Sequence, residues 1–305
     1  MARYGLPWQG SKSRIAEWVI DVLPPSHTLV DLFAGGCAVT HAALLSGKFE
    51  RIIANDLTDS VKVFFAAING EFDGYSMCAS REEFERYREE DTALALLCSF
   101  GNDRTAYLWV EDVEAVKRSA SLMLSSPSIW ERRQWYRKFV AALKGFLSSG
   151  SDNRWNELEF HERLQRLEGL ERLQGLERLQ GLQGLERLQG LQGLEGLQCD
   201  YRLVDIPEGA TVYADPPYRN TPNSSRYGSF DFDAFDQWLA GVDFPVFVSE
   251  YDAPTGCVEI AQTERTGSMD ANATKTYTER IFVQERFYEQ CRPKSLFDFV
   301  AGEDA

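Results

Sequence analysis

A chain of 305 residues that is 44% hydrophobic and 12% aromatic can bury the core of one large domain or of two ordinary ones. Its net charge of -15 excludes broad, non-specific binding to polyanions, so any contact with nucleic acid must rest on a local basic surface. Six cysteines without a CxxC pair and only three histidines argue against a structural zinc site and favour reduced thiols.

The first predicted elements form a βαβ unit. A short apolar strand is followed by a glycine-containing loop, a helix and a second apolar strand, and this order implies a parallel sheet. The elements are a helix over residues 11–23 that is ended by Pro24 and Pro25, a strand over 28–33, the loop Ala34-Gly35-Gly36, a helix over 37–45, and a strand over 51–55 that is closed by Asp56.

The middle of the chain, residues 71–150, is charged and helix-prone, with scattered aromatic residues. Its most basic stretch is 132–138, which reads Arg-Arg-Gln-Trp-Tyr-Arg-Lys. We therefore predict an α/β domain in two parts that flank a mainly helical middle region. Sheet-like segments return at 211–214, 246–250, 257–262 and 280–284.

A low-complexity tract precedes the second part of that domain, with leucine at every third position from Leu164 to Leu197. A period of three matches neither an α-helix nor a strand, and the many glycines weaken a helix further. The sequence favours a repeat-expanded insertion without a catalytic role over the alternative, which is a helical hairpin.

The strongest signal for chemistry is Asp215-Pro216-Pro217-Tyr218, directly after the apolar strand at 211–214. Ligands of α/β sheets bind beyond the carboxyl ends of the strands, where this tetrapeptide is expected. The Asp215 carboxylate and the Pro216 carbonyl can accept the two protons of an exocyclic amine, and the successive prolines keep the turn rigid. Tyr218 can stack on an extruded base. The alternative is an ordinary proline-rich turn, against which the preceding strand argues.

Two further segments are typical of a nucleotide site. In Asp31-Leu32-Phe33-Ala34-Gly35-Gly36-Cys37 the glycines let the backbone approach a cofactor closely, just before a helix begins. Asp56 ends the next strand, where a carboxylate can accept both ribose hydroxyls, although a turn aspartate is an equal alternative. The stretch Trp8-Gln9-Gly10-Ser11-Lys12 is a glycine turn with one lysine, which alone predicts only a capped helix.

Together these motifs resemble the Dam-like, alpha-class adenine-N6 DNA methyltransferases, and they follow in the order of that class. The stretches 99–107, Ser-Phe-Gly-Asn-Asp-Arg-Thr-Ala-Tyr, and 247–251, Phe-Val-Ser-Glu-Tyr, are similar to those of phage and prophage members. Some of those members carry leucine-rich triplet tracts. One position departs from the family pattern: its loop usually reads Phe-x-Gly-x-Gly, and Cys37 replaces the last glycine here.

The resemblance implies an α/β, Rossmann-like methyltransferase sheet formed by residues 1–70 and 200–305. It places an inserted, mainly helical target-recognition domain at 71–160 and the leucine-triplet insertion at 161–199. It also implies S-adenosylmethionine as the cofactor, with no metal. By position, the catalytic residues would be Asp215, Pro216, Pro217 and Tyr218. The cofactor-binding residues would be Trp8, Lys12, Asp31, Phe33, Ala34, Gly35, Gly36, Asp56 and Asp215.

The resemblance further implies double-stranded DNA as the substrate, methylated at the N6 amino group of an adenine that is flipped out of the helix at a specific site. We expect most DNA contacts in the middle region, with Trp135 and Tyr136 as apolar partners, because arginine reads guanine edges or holds phosphates. A solvated helix face is the alternative for 132–138. The candidates are Arg104, Tyr107, Arg132, Arg133, Arg137, Lys138, Arg219, Arg226 and Lys275.

Two other functions stay open from the sequence. One is methylation of another amine, in RNA or at a protein glutamine, although glutamine methylators usually carry Asn where this chain has Asp215. The other is a DNA-binding relative that has lost catalysis, against which the intact Asp215–Tyr218 motif argues. No signal peptide or membrane span is predicted. We expect a monomer in the cytoplasm of a bacterial cell or phage-infected host, with or without a cognate restriction endonuclease.

Overall fold

The computed structural model of the chain describes residues 4–8, 10–69, 78–99, 104–126, 128–148, 193–219, 230–267 and 275–291. The chain forms two compact units. The sheet unit comprises Met1–Tyr4, Lys12–Val61 and Leu191–Ala305, and the helical unit comprises Gly5–Ser11 and Lys62–Gly190. Among the described residues, no helix has both the length and the apolar character that crossing a membrane requires.

The strands of the sheet unit are β1 (Thr28–Asp31), β2 (Arg51–Asn55), β3 (Leu194–Leu197), β4 (Thr211–Ala214), β5 (Val246–Glu250), β6 (Cys257–Gly267) and β7 (Lys275–Gln284). They form one seven-stranded sheet in the order β3-β2-β1-β4-β5-β7-β6. The pairs from β3 to β5 are parallel, whereas β7 runs antiparallel to both of its neighbours.

Helices of the described residues belong to both units. The sheet unit holds α1, α2, α8 and α9, the helical unit holds α4 to α7, and α3 spans the boundary between them. Their bounds are α1 (Ala16–Val22), α2 (Ala38–Ser46), α3 (Ser60–Ile68), α4 (Arg81–Tyr87), α5 (Thr92–Leu97), α6 (Glu111–Ser125), α7 (Ile129–Ser148), α8 (Phe232–Gly241) and α9 (Tyr288–Cys291).

Helices pack on both faces of the sheet. On one face, Val19 of α1 and Ala42 of α2 share a core with Phe247 of β5. On the other face, Phe235 of α8 lies in a core with Val212 of β4. Strands covered on both sides read as continuous apolar runs, and β1, β4 and β5 are buried along their whole length. The predicted Rossmann-like α/β fold is confirmed.

Helix α1 is shorter than the helix predicted over residues 11–23, because the residues before Ala16 form a turn and other hydrogen bonds. The Ser13 hydroxyl accepts a hydrogen bond from the Tyr4 amide at 2.8 Å and does not cap the helix. A turn therefore precedes Ala16, closed by the Ile15 amide and the Lys12 carbonyl at 2.8 Å. This turn leaves Lys12 outside the helix, where its side chain is almost fully buried.

Strand β3 corrects the interpretation of the leucine tract. Leu194–Leu197 fall within the predicted insertion at 161–199, yet they pair in parallel with β2. Successive side chains of a strand point to opposite faces, so leucines three residues apart lie on opposite sides of the sheet. Leu194 accordingly contacts the core of α1 and α2, and Leu197 contacts the core of α8. A period of three thus suits a short strand that is covered on both faces. The tract before residue 193 lies outside the described residues.

The described part of the helical unit agrees with the helix-prone composition of residues 71–150. Helix α4 begins with a capping box formed by Ser80 and Glu83. The small core of this region contains Phe84, Tyr107 and Trp109. Helices α6 and α7 pack against each other, and α7 leaves most of its surface exposed.

Candidate active site at the carboxyl edge of the sheet

The strand order reverses between β1 and β4, because the chain runs from β1 outward to β3 and returns to the other side of β1. Such a reversal opens a crevice beyond the carboxyl ends of the strands, where ligands of α/β sheets bind. Asp31 pairs with Tyr213, and the Leu32 amide donates to the Tyr213 carbonyl at 2.9 Å. The glycine loop and the Asp215 turn therefore emerge side by side from strands that are about 4.8 Å apart.

The glycine loop is tied to the end of β2 by two hydrogen bonds, and Thr58 holds the aspartate that accepts one of them. The Ala34 amide donates to the Asn55 carbonyl at 2.8 Å. The Gly35 amide donates to Asp56 Oδ2 at 2.9 Å, and the Thr58 amide and hydroxyl donate to Asp56 Oδ1 at 2.8 and 2.7 Å. Asp56, which the sequence predicts to bind a ribose, thus also fixes the path of the loop. Gly36 is buried at the base of α2.

Cys37 takes a backbone conformation that glycine normally supplies. Its φ is 59°, in the left-handed region, and its side chain is fully buried. A cysteine is therefore held in a left-handed conformation here, at the cost of backbone strain. Burial raises the pKa of the Cys37 thiol well above its ordinary value, and nearby Asp31 and Asp56 add to this, so the sulfur stays protonated.

Asp31 is a buried carboxylate with one unsatisfied oxygen. Its side chain is 1% exposed, and Oδ2 accepts a hydrogen bond from Thr40 at 2.8 Å. Oδ1 has no hydrogen-bond partner among the described residues. Burial, with the charges of Asp215 and Asp56 and against the opposing Thr40 hydrogen bond, raises the pKa of Asp31 to about 7. A buried acceptor in this state favours a cationic donor as its ligand.

Lys12 lies at the Asp215 turn. Its ammonium is 2.7 Å from Asp215 Oδ1 and 4.5 Å from the centre of the Tyr218 ring. The lysine side chain is 4% exposed and the aspartate 18%, so water screens this ion pair only in part. In the same turn, Pro216 is buried and Pro217 is partly buried. The structure therefore joins the predicted N-terminal motif to the predicted catalytic turn.

Four residues at this edge were not among the predicted site residues, although the first two lie in the stretch 247–251 that resembles phage members: Glu250, Tyr251, Tyr277 and Glu279. Glu250 ends β5 and accepts from the Arg219 and Tyr251 amides at 2.6 and 2.8 Å. Burial raises its pKa to about 7 against these two hydrogen bonds. A glutamate that ends a fully buried strand is a signal that sequence reasoning could have used.

An aromatic cluster surrounds Tyr218. The Tyr251 ring meets it edge to face with a centroid distance of 4.6 Å, and Tyr251 stacks on Tyr277 at 6.2 Å. The Tyr218 hydroxyl donates to Glu279 Oε2 on β7 at 2.7 Å. Tyr277 and Glu279 come from an antiparallel strand distant in sequence, so their presence here had no sequence signal.

The remaining cofactor candidates are placed differently. Phe33 packs against the rings of Tyr201, Phe230 and Phe235, within 5.1 to 5.9 Å, so its ring contributes to the core beside α8. Trp8 belongs to the helical unit, where its side chain is half-buried and its carbonyl accepts from the Ser11 amide at 3.2 Å.

The DNA candidates of the helical unit divide into anchored and exposed residues. The structure contradicts the prediction that Tyr107 contacts DNA. Its side chain is 6% exposed and its hydroxyl donates to the Ala79 carbonyl at 2.7 Å, as expected of a core residue. Arg104 donates to the Thr92 hydroxyl at 3.1 Å, and Arg132 to the Ser126 carbonyl at 2.6 Å.

The exposed candidates lie on α7. Arg133 lies 5.5 Å from the Trp130 ring centre, and Lys138 lies 4.1 Å from that of Trp135. Arg137 is exposed between them, and Trp130 is 70% exposed. Basic and aromatic side chains thus lie together on an exposed part of α7.

Arg219 is held within the sheet unit, with its guanidinium 2.5 Å from Asp236 and 4.8 Å from the Phe232 ring centre. Arg226 and the side chain of Lys275 lie outside the described residues. No group of three or more possible metal ligands occurs in the described part of the chain.

Residues 8–131 match the family model of the D12 class N6 adenine-specific DNA methyltransferases. The matched segment includes Lys12, the glycine loop and Asp56, and it ends before Asp215. A comparison with curated proteins gave no match.

Proposed function

We propose that the chain, whose residues 8–131 match the D12 class N6 adenine-specific DNA methyltransferases, is a member of that class and transfers a methyl group from S-adenosylmethionine to the N6 amino group of adenine in duplex DNA. The observation that carries this proposal is the adjacency of Asp31 and the Asp215 turn at the reversal of strand order. A methyl donor bound at Asp31 and an amine held by the Asp215 turn are then neighbours.

The cofactor fits the charge of the site. S-adenosylmethionine carries a positive sulfonium and an ammonium group, and when bound it supplies a methyl group activated by the positive sulfur. Asp31 Oδ1, buried and without a described partner, accepts from the ammonium. Asp56 accepts from the ribose hydroxyls with the lone pairs that its contacts to Gly35 and Thr58 leave over. Ala34, Gly35 and Gly36 supply backbone without bulky side chains, so the loop can approach the nucleoside closely.

The target amine is held by the turn after β4. The lone pair of an exocyclic amine is delocalised into the ring, which makes the amine a weak nucleophile. The Asp215 carboxylate and the Pro216 carbonyl accept its two protons, and Tyr218 stacks on the base. Lys12 fixes the orientation of Asp215 through the ion pair with its Oδ1 atom. The chain thus contributes mainly alignment.

DNA is held in part by the exposed face of α7. Arg133, Arg137 and Lys138 neutralise phosphates, and Trp130 and Tyr136 give apolar contact beside them. The net charge of -15 keeps this attraction local and sensitive to salt.

The test is incorporation of labelled methyl groups from S-adenosylmethionine into unmethylated duplex DNA, RNA of the same sequence and a glutamine-containing protein. The expected product is N6-methyladenine in duplex DNA alone. Asp215→Ala is the control, with cofactor binding measured to show that the variant is folded. Transfer into RNA or protein without transfer into DNA would overturn the proposal, as would cofactor-free DNA binding by a wild-type chain that transfers nothing.

A further inference from the structure

The Tyr218 ring is fixed from three directions. Its hydroxyl donates to Glu279 Oε2 at 2.7 Å, the Lys12 ammonium lies 4.5 Å from its centre, and the Tyr251 ring meets its edge at 4.6 Å. Of these contacts, only the one to Glu279 holds the far end of the ring, at the hydroxyl. Because a phenol O–H lies in the plane of its ring, that contact fixes the position of the hydroxyl and helps to hold the ring plane relative to the Asp215 turn.

Glu279 is an unusual residue for its position. It is 1% exposed, and it lies on β7 just beyond the pair that Glu250 and Arg280 form between β5 and β7. A buried carboxylate is costly unless it accepts hydrogen bonds, and the phenol of Tyr218 provides one. Burial, with Asp215 and Glu279 nearby, raises the pKa of Tyr218 well above its ordinary value. The phenol therefore keeps its proton at neutral pH and donates it in the hydrogen bond to Glu279.

We propose that Glu279 is a positioning residue of the methyl transfer: through the Tyr218 hydroxyl it sets the plane on which the extruded adenine stacks. This inference rests on the proposed function and extends it to a strand outside the residues 8–131 that match the family model. Glu279 does not touch the base. It acts because the amine must meet the methyl carbon in line, and a stacking ring that tilts moves the amine away from that line.

A purely structural role makes different predictions. If the pair only stabilised the contact between the Asp215 turn and β7, removal of Glu279 would lower the free energy of unfolding and leave the turnover of the folded enzyme unchanged. A positioning role lowers turnover in the folded enzyme and leaves cofactor affinity as it was. Glu279→Leu removes the acceptor at similar volume, and Glu279→Gln keeps an amide oxygen that can accept from the phenol.

The experiment first locates the methylated site by sequencing plasmid DNA from cells that express the chain. A duplex with 2-aminopurine at the target adenine then reports stacking through its fluorescence, in parallel with kcat, the KM for S-adenosylmethionine and calorimetric cofactor binding. We expect Glu279→Leu to lower kcat roughly tenfold to a hundredfold, with unchanged cofactor binding and brighter 2-aminopurine fluorescence. Glu279→Gln should restore much of both.

A double-mutant cycle with Tyr218→Phe completes the test. Tyr218→Phe and Glu279→Leu should each reduce kcat, and the double variant should be no slower than the worse single variant, since both remove the same contact. Additive losses overturn the inference, as does a folded Glu279→Leu enzyme with wild-type kcat and fluorescence. A wild-type enzyme that neither flips nor methylates the base overturns the proposed function as well, so the two failures are distinct.

Discussion

The Lys12 ammonium and the Asp215 carboxylate lie 2.7 Å apart although 203 positions separate them in the sequence. One ends the N-terminal motif that the family model matches, and the other begins the turn that follows β4. Because the lysine is 4% exposed, its charge is compensated mainly by this contact and by the face of the Tyr218 ring. The ion pair thus couples the two halves of a discontinuous sheet unit at its candidate active site.

Removing the Lys12 charge should impair turnover more than cofactor binding. Lys12→Met keeps the length of the side chain and leaves Asp215 without its cation, so we expect kcat to fall by about a hundredfold. The free energy of unfolding should drop by only roughly 1–3 kcal/mol, because Asp215 is partly solvated. Lys12→Arg is the matched control and should recover part of kcat. A Lys12→Met enzyme with normal single-turnover rates would contradict this role.

Asp31 should make folding stability and cofactor affinity depend on pH in opposite directions. Its pKa rises from an ordinary 3.8 to about 7 on folding, so the native state binds the proton more tightly than the unfolded state. The contribution of Asp31 to stability is therefore greatest below pH 4 and is lost as the pH rises toward 7. Cofactor affinity should instead weaken below pH 7, because a protonated Asp31 no longer offers a carboxylate to an ammonium.

Asp31→Asn separates the two effects. The variant should be more stable than wild type at pH 8 by on the order of 2 kcal/mol, with the difference vanishing near pH 4. It should bind S-adenosylmethionine roughly tenfold to a hundredfold more weakly at pH 8. Urea unfolding and calorimetric titration measure the two quantities, and Asp243→Asn, an exposed site in the same unit, is the control. Equal stability of variant and wild type at pH 8 would rule out the proposed cost of burial.

Gly193 should be required for β3, in contrast to other glycines with positive φ. It has a φ of 90°, and a Cβ at this position would lie 2.2 Å from the Glu50 carbonyl oxygen. Gly256 has a φ of 72° with no atom within 4 Å of such a Cβ. Gly256→Ala should therefore cost about 1–2 kcal/mol of unfolding free energy, and Gly193→Ala a further 1–3 kcal/mol through overpacking. Thermal and urea unfolding of both variants check this, and equal losses would contradict it.

The strands of the sheet differ in how far the sequence predicted them. Strands at 51–55, 211–214 and 246–250 were predicted at their observed bounds, because buried parallel strands are continuous apolar runs. β3 was missed because its leucines serve one face each, which produces neither alternation nor a continuous run. Leu194–Leu197 form a strand because they pair with the edge of β2, and not because of a pattern within the repeat.

The candidate site shows the same division. Asp31, Asp56 and Asp215 could be predicted because each directly follows or ends a recognisable strand. The contact between Tyr218 and Glu279 could not, because it depends on β7 folding back beside β5, a pairing that no local pattern encodes. Tyr107 was predicted as a DNA contact, whereas the fold uses its ring as core.

Removing positive charges from α7 should weaken DNA binding in a salt-dependent way and leave the affinity for the cofactor unchanged. Arg133 and Arg137 are exposed on one helix and lie four residues apart, so they share a face. Each phosphate contact contributes about 0.9 to the slope of log affinity against log salt concentration. Arg137→Gln should therefore reduce that slope by about 1, and the double variant with Arg133→Gln by about 2.

The control for α7 is Arg202→Gln, which removes an equal charge from an exposed arginine of the sheet unit that pairs with Asp200. Its slope should equal that of wild type, as measured by fluorescence anisotropy of a labelled duplex between 50 and 200 mM salt, roughly the range over which phosphate contacts dominate. Turnover at saturating DNA should be unchanged in the α7 variants, because their side chains serve association and do not align the amine. If the α7 variants kept the wild-type slope, or if Arg202→Gln reduced it equally, the basic face of α7 would be a solvated helix surface and the DNA contacts would lie elsewhere.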